Sequence, residues 1–209
     1  PTNTNHGTPT NFSESLILSE GQNGRDTQGF LMNKVRTSGF NGSGMGNINQ
    51  YIDIGTAVTR SNSQAYSFTV WLKPDDVVEN WFFGHESQDW YRILSDSQIQ
   101  LKTNNNAVTY DLDNDPQLVA GNWFHFGVVR TASDDKIHIY IDGELHDDNE
   151  SGGLSIGNNS FEYEYLGAGG NTSAYTFRGQ LDDQAVYHVE LTAAQIKRNY
   201  NAGKRRHQN

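Results

Sequence analysis

The segment KIHIYIDGELHD, residues 136–147, is compatible with very few folds. Ile137, Ile139 and Ile141 share one face of an extended chain, and His138 and Tyr140 take the other. A helix would scatter the three isoleucines around its axis. Asp142-Gly143 then supplies residues that tolerate the positive φ of a two-residue hairpin turn. The chain must reverse here as antiparallel β-structure.

The same alternation recurs along the sequence. In YSFTVWLKP, Phe68, Val70 and Leu72 lie on one side, with Thr69, Trp71 and Lys73 on the other. Pro74 ends that ladder, because proline has no amide to donate. WFFGHES and WYRILSD read as strands around a polar turn. IQLKTN and AVTYDLD read as a hairpin bending at Asn104, Asn105 and Asn106. NWFHFGVVRT sets Phe124, Phe126 and Val128 against His125 and Val129. QYIDIGTAV precedes these strands, behind the glycine-dense FNGSGMGNIN, while FEYEYLGAG and FRGQLDDQAVYHV close the series.

One helix stands out. Thr192 and Gln195 form a capping box, Ile196 and Tyr200 are spaced i and i+4, and Gly203 reads as its stop after two to three turns. No repeat or internal linker divides the chain. The expected organisation is a linker or loosely pinned arm over residues 1–12, one domain over 13–203 and a tail over 204–209. The expected fold class is all-β, an antiparallel β-sandwich with a short C-terminal helix.

Composition narrows the function. The 209 residues carry 25 acidic and 15 basic side chains, a net charge of −10, which argues against nucleic acid as the main partner. With no cysteine, thiol catalysis, zinc–thiolate sites and iron–sulfur clusters are excluded. No apolar run approaches the roughly 18 residues of a membrane helix, so membrane insertion is not expected. The seven histidines show no zinc-binding spacing.

YSFTVWLKPDD, NWFHFGVVRT, KIHIYIDGELHDD and FRGQLDDQAVYHVELTAAQIKRNYNAG, in that order, resemble the core of the laminin-G-like jelly rolls. Those domains belong to the concanavalin A-like lectin and glucanase superfamily. The upstream RTSGFNGSGMGNINQYIDIG is similar to the family's opening strand and loop. The resemblance spans roughly residues 36–203 and implies two curved sheets. It also implies one structural calcium, Ca2+, near the sheet edge, with ligands from Asp182 and from Asn41, Gly42 and their neighbours. Asn41 stands where the family often has aspartate, so one anionic ligand is missing.

The residues at that aspartate pair leave two readings open. Calcium takes six to eight oxygens, and Asp182 with an Asn/Gly-rich loop supplies that mixture. Alternatively, Asp182 and Asp183 only bind turn amides at the start of a strand. Strict alternation puts Asp182 with Gln184 and Val186, and Asp183 with Leu181, Ala185 and Tyr187. It does not say which carboxylate points inward.

Catalysis finds little support. Glycoside hydrolysis needs two carboxylates about 5 to 10 Å apart across a cleft. Glu162 and Glu164 in FEYEY share a face, but the third acid of the superfamily's glucanase pattern falls on Leu166 or Ser160. His138 and Tyr140 alternate as a lyase pair would, without a supporting cluster. Ligand recognition fits better. Trp81, Trp90 and Tyr91, with His85 and Arg92, place aromatic rings beside hydrogen-bonding groups, which suits the apolar face and hydroxyl rim of a sugar. Trp71 and Trp123 are expected in the core, and His125 is expected to be structural.

The expected function is therefore a non-catalytic recognition module that binds glycan or polysaccharide. Its expected setting is extracellular, on a cell surface or on a virion surface, within a multidomain parent or a virion. The alternatives are a polysaccharide lyase or glycoside hydrolase with divergent catalytic residues, and a structural or protein-binding module of a virion or bacterial adhesin.

Overall fold

The computed structural model describes residues 8–10, 51–85, 89–104, 106–112, 118–132, 136–146, 154–155, 160–170 and 176–208. The strands are β1 (Thr8–Thr10), β2 (Tyr51–Arg60), β3 (Tyr66–Pro74), β4 (Asn80–His85), β5 (Asp89–Ser95), β6 (Gln98–Thr103) and β7 (Asn106–Asp111). They continue with β8 (Phe124–Arg130), β9 (Lys136–Ile141), β10 (Glu144–Leu145), β11 (Leu154–Ser155), β12 (Phe161–Leu166) and β13 (Gly179–Tyr187). Among the described residues one helix, α1 (Ala193–His207), follows.

The strands form two antiparallel sheets. One runs β1-β2-β12-β4-β5-β6-β7, and the other runs β10-β9-β8-β3-β13 with β11 also on β9. Local hairpins account for β4 to β7. Long-range pairing of β13 with β3 and of β12 with β2 closes the sandwich, so early and late parts of the chain become neighbours.

The core between the sheets follows the alternation read in the sequence except in β4, where a register shift between Trp81 and Phe83 turns both Phe82 and Phe83 inward. Phe68, Val70 and Leu72 meet Phe126, Val128, Ile139 and Ile141 from the same sheet, and Phe82, Phe83, Ile93 and Leu101 from the other. The Phe68 and Phe83 rings stack at 4.2 Å. Tyr66 and Tyr91 share a hydrogen bond of 2.6 Å between their hydroxyls inside this core. Asp142 and Gly143 have φ of 50° and 78°, as the hairpin turn requires.

A second apolar layer lies on the outer face of the β3/β8/β13 sheet, where α1 packs. Val129, Tyr140, Leu191 and Ile196 form it, with Tyr187 at its edge. Trp71 faces this layer and not the inter-sheet core, and its ring stacks on Tyr200 at 5.6 Å. The capping box forms as expected: the Gln195 amide donates to Thr192 Oγ1, and the Thr192 amide donates to Gln195 Oε1.

Three expectations change. The helix does not stop at Gly203 but runs to His207, so residues 204–207 are helix and not tail. Gly203 serves close approach instead: a Cβ there would lie 2.1 Å from Trp71 Nε1. Within the segment read as an arm, Thr8–Thr10 pairs with β2 as an edge strand. Finally, β13 does not alternate strictly. Leu181 pairs with Leu72 and Val186 with Phe68, both facing the core, while Asp182 pairs with Trp71 and Ala185 with Thr69 on the helix side. Between them β13 takes three steps for two on β3. That is a β-bulge, and Asp183 carries the turn at φ 49°.

Candidate functional site

Two groups of side chains on the outer faces concentrate chemistry. The first lies on the sheet containing β4 to β7. Registration places Trp81, Arg92, Gln100 and Thr109 in one row across four strands. Gly84, Trp90, Lys102 and Ala107 form the adjacent row. Arg92 lies 4.9 Å from the centroids of both Trp81 and Trp90, and Lys102 lies 5.7 Å from that of Trp90. The indoles meet edge to face at 6.4 Å. Along the first row Arg92 Nε donates to Gln100 Oε1 at 3.0 Å, and Gln100 Nε2 donates to Thr109 Oγ1 at 2.9 Å.

This corrects the expected aromatic platform. Trp81 and Trp90 are only 7% and 9% exposed, because they pack edge to face on each other and against the Arg92 guanidinium. The accessible chemistry is polar instead: Arg92, Gln100, Lys102 and Thr109 are all partly exposed. Tyr91 is also corrected. It is 0% exposed in the inter-sheet core, since β5 turns it away from the face that carries Trp90 and Arg92.

His85 lies elsewhere, at the end of β4, where it joins an acidic group. Its Nδ1 is 3.4 Å from Glu162 Oε2 and its Nε2 is 3.3 Å from Glu164 Oε2. Its ring lies parallel to Tyr165 at 6.3 Å. Asp89 is nearby and buried, and burial pushes its carboxyl up to about 6 despite amide donation from Asn104 and Glu162. The two glutamates thus share one imidazole, one carboxylate at each ring nitrogen.

The second group surrounds Asp182. The bulge turns two successive carboxylates toward the end of α1, where strict alternation would have opposed them. Asp182 is 1% exposed; its Oδ1 accepts from the Asp183 amide at 2.8 Å, and its Oδ2 lies 3.3 Å from His207 Nε2. Asp183 is ion-paired with Arg206. Donor atoms of Asp182, Asp183 and His207 all lie within 4.8 Å of one another. The His207 ring packs between Trp71 and Trp123, with centroids at 4.5 Å and 4.4 Å. His125 is structural here: it sits against Trp71 at 5.3 Å, and burial lowers its imidazole to about 3. Asn41 and Gly42, the other expected calcium ligands, lie outside the described residues.

Gln100, Lys102, Thr109 and His207 were missed in the sequence. The first three become a site only through strand register, which no single segment specifies. His207 did leave a signal, because 196, 200, 203 and 207 continue one helical stripe past the apparent stop.

Residues 45–197 match the sequence model of a laminin-G-type family described as the concanavalin A-like lectin/glucanases superfamily. No curated protein matches the chain. Among solved structures, a heptameric SAP-like pentraxin from Limulus polyphemus is similar, with 17% identity and a TM-score of 0.50. The similarity covers 71% of this chain and 71% of that one. A putative carbohydrate binding protein from Bacteroides ovatus is similar at 18% identity and a TM-score of 0.52, over 72% of this chain and 44% of that one. The match therefore spans less than half of the Bacteroides protein, and both likenesses concern the fold. No helix among the described residues is long and apolar enough to cross a membrane.

Proposed function

The chain belongs to the concanavalin A-like lectin/glucanase superfamily, and on that premise we propose that it is a non-catalytic recognition module binding carbohydrate on the outer face of the β4–β7 sheet. The observation carrying this reading is the row Arg92, Gln100 and Thr109. Its members are hydrogen-bonded to one another across three strands and seated on two packed tryptophans. Amide, hydroxyl and guanidinium groups held in line on rigid strands suit the hydroxyl rim of a glycan. The packed indoles limit the side-chain entropy lost on binding. Lys102 in the next row adds a cation, which favours glycans bearing carboxylate or sulfate. An exposed glycan-binding face fits a setting on a cell or virion surface, or an extracellular one, within a larger protein.

A glycan array probed with the chain tests the reading. Binding to a set of polysaccharides, lost or weakened at least tenfold in Gln100→Ala and Arg92→Gln, is the expected result. An array with no signal would refute it and favour a structural or protein-binding module. New reducing ends or unsaturated products on incubation with those polysaccharides would refute the non-catalytic part and turn attention to His85, Glu162 and Glu164.

A further inference from the structure

We infer that Asp182, Asp183 and His207 bind one divalent cation of the zinc class, clamping the end of α1 to β13. Two neighbouring carboxylates alone would not make a site, but Asp182 Oδ2 is fully buried and has no hydrogen-bond partner. A carboxylate oxygen left so in a dry interior costs several kcal/mol unless a positive charge meets it. His207 Nε2 lies 3.3 Å away without forming a hydrogen bond to it. That spacing has a direct reading. Nitrogen and oxygen ligands about 2.0–2.1 Å from a tetrahedral zinc stand about 3.3–3.4 Å from each other.

The donors decide the class of ion. One imidazole nitrogen with two carboxylates suits zinc and its first-row neighbours, whereas calcium takes oxygens alone. Three protein donors leave a fourth position for water. Trp71 and Trp123, on either side of the His207 ring, hold the imidazole in place. Arg206 competes with the ion, because its guanidinium pairs with Asp183. The site thus links the last strand and the last helical turn, independently of the glycan-binding face.

The test uses the whole chain, stripped of metal with chelator and titrated with zinc chloride or calcium chloride. Expected are one zinc per chain, a melting temperature about 5–10 °C higher at a hundredfold excess over Kd, and no comparable calcium response. Copper or nickel ions should quench part of the tryptophan emission, since Trp71 and Trp123 touch the ligand ring. His207→Ala should weaken zinc binding at least tenfold. Arg206→Ala, which leaves all three ligands in place, should tighten it by freeing Asp183. A wild-type chain whose melting and emission ignore zinc would overturn the proposal, leaving a simple His207–Asp182 contact. Zinc binding unchanged in His207→Ala, a calcium-only response, or weaker binding in Arg206→Ala would overturn it equally.

Discussion

Asp182 Oδ2 lies 3.3 Å from His207 Nε2, with both side chains shut away from solvent. The contact joins the strand that closes the β3 sheet to the final turn of the only helix among the described residues. α1 lies over Trp71, with Tyr200 stacked on its ring and Gly203 against it, so the helix is an integral third layer of the sandwich and not an appendage.

Gly203→Ala should destabilise the protein, although alanine normally favours a helix by about 1 kcal/mol over glycine. The new methyl would sit 2.1 Å from Trp71 Nε1, and the ring is buried and has little room to yield. Overpacking of this kind costs about 1–3 kcal/mol. Chemical denaturation measures it, and a variant as stable as the wild type would contradict this packing.

Acid should weaken the fold through His125. Its imidazole is held neutral to about 3, whereas an unfolded histidine takes up a proton near 6.5. The stability it contributes is complete above about pH 6.5 and is lost as the pH falls toward 3, by up to about 1.4 kcal/mol per pH unit. In chelator-containing buffer, His125→Gln should flatten the fall in melting temperature across that range.

Asp89 acts in the opposite sense. Its folded pKa, raised to about 6, exceeds its ordinary value, so its contribution is present at pH 4 and lost as the pH climbs through 6. Asp89→Asn keeps an acceptor for the Asn104 amide. It should be more stable than the wild type at pH 7 by roughly 1–2 kcal/mol and indistinguishable from it at pH 4. Denaturant midpoints at the two pH values decide this.

Trp90→Ala should cost about 3 kcal/mol of stability, because the indole is packed between Trp81, Arg92 and Lys102. Loss of glycan binding in that variant would therefore mix two effects. Gln100→Ala removes a partly exposed polar group and should leave the melting temperature within about 2 °C of the wild type, which differential scanning calorimetry can check.

Much of the fold was legible. Short apolar runs, most of them alternating, located the described strands of residues 66–145, Asp142-Gly143 marked its hairpin, and the capping box located the helix start. All three are local signals, set by neighbours in sequence. The site was read less well. Trp81, Trp90 and Arg92 do share one place, but the aromatic faces close on the guanidinium. Tyr91 belongs to the core, because one step along a strand reverses a side chain.

The sequence alone determined the strands, the turn chemistry and the family, because backbone geometry makes alternation and capping properties of a few adjacent residues. Only the tertiary structure decided where Asp182 and Asp183 point. Leu181 and Val186 must both reach the core, yet they are separated by an odd number of steps, so β13 inserts an extra residue against β3. That bulge carries both carboxylates toward His207. It arises from burying two distant side chains against a partner strand, a demand that no run of neighbouring residues contains.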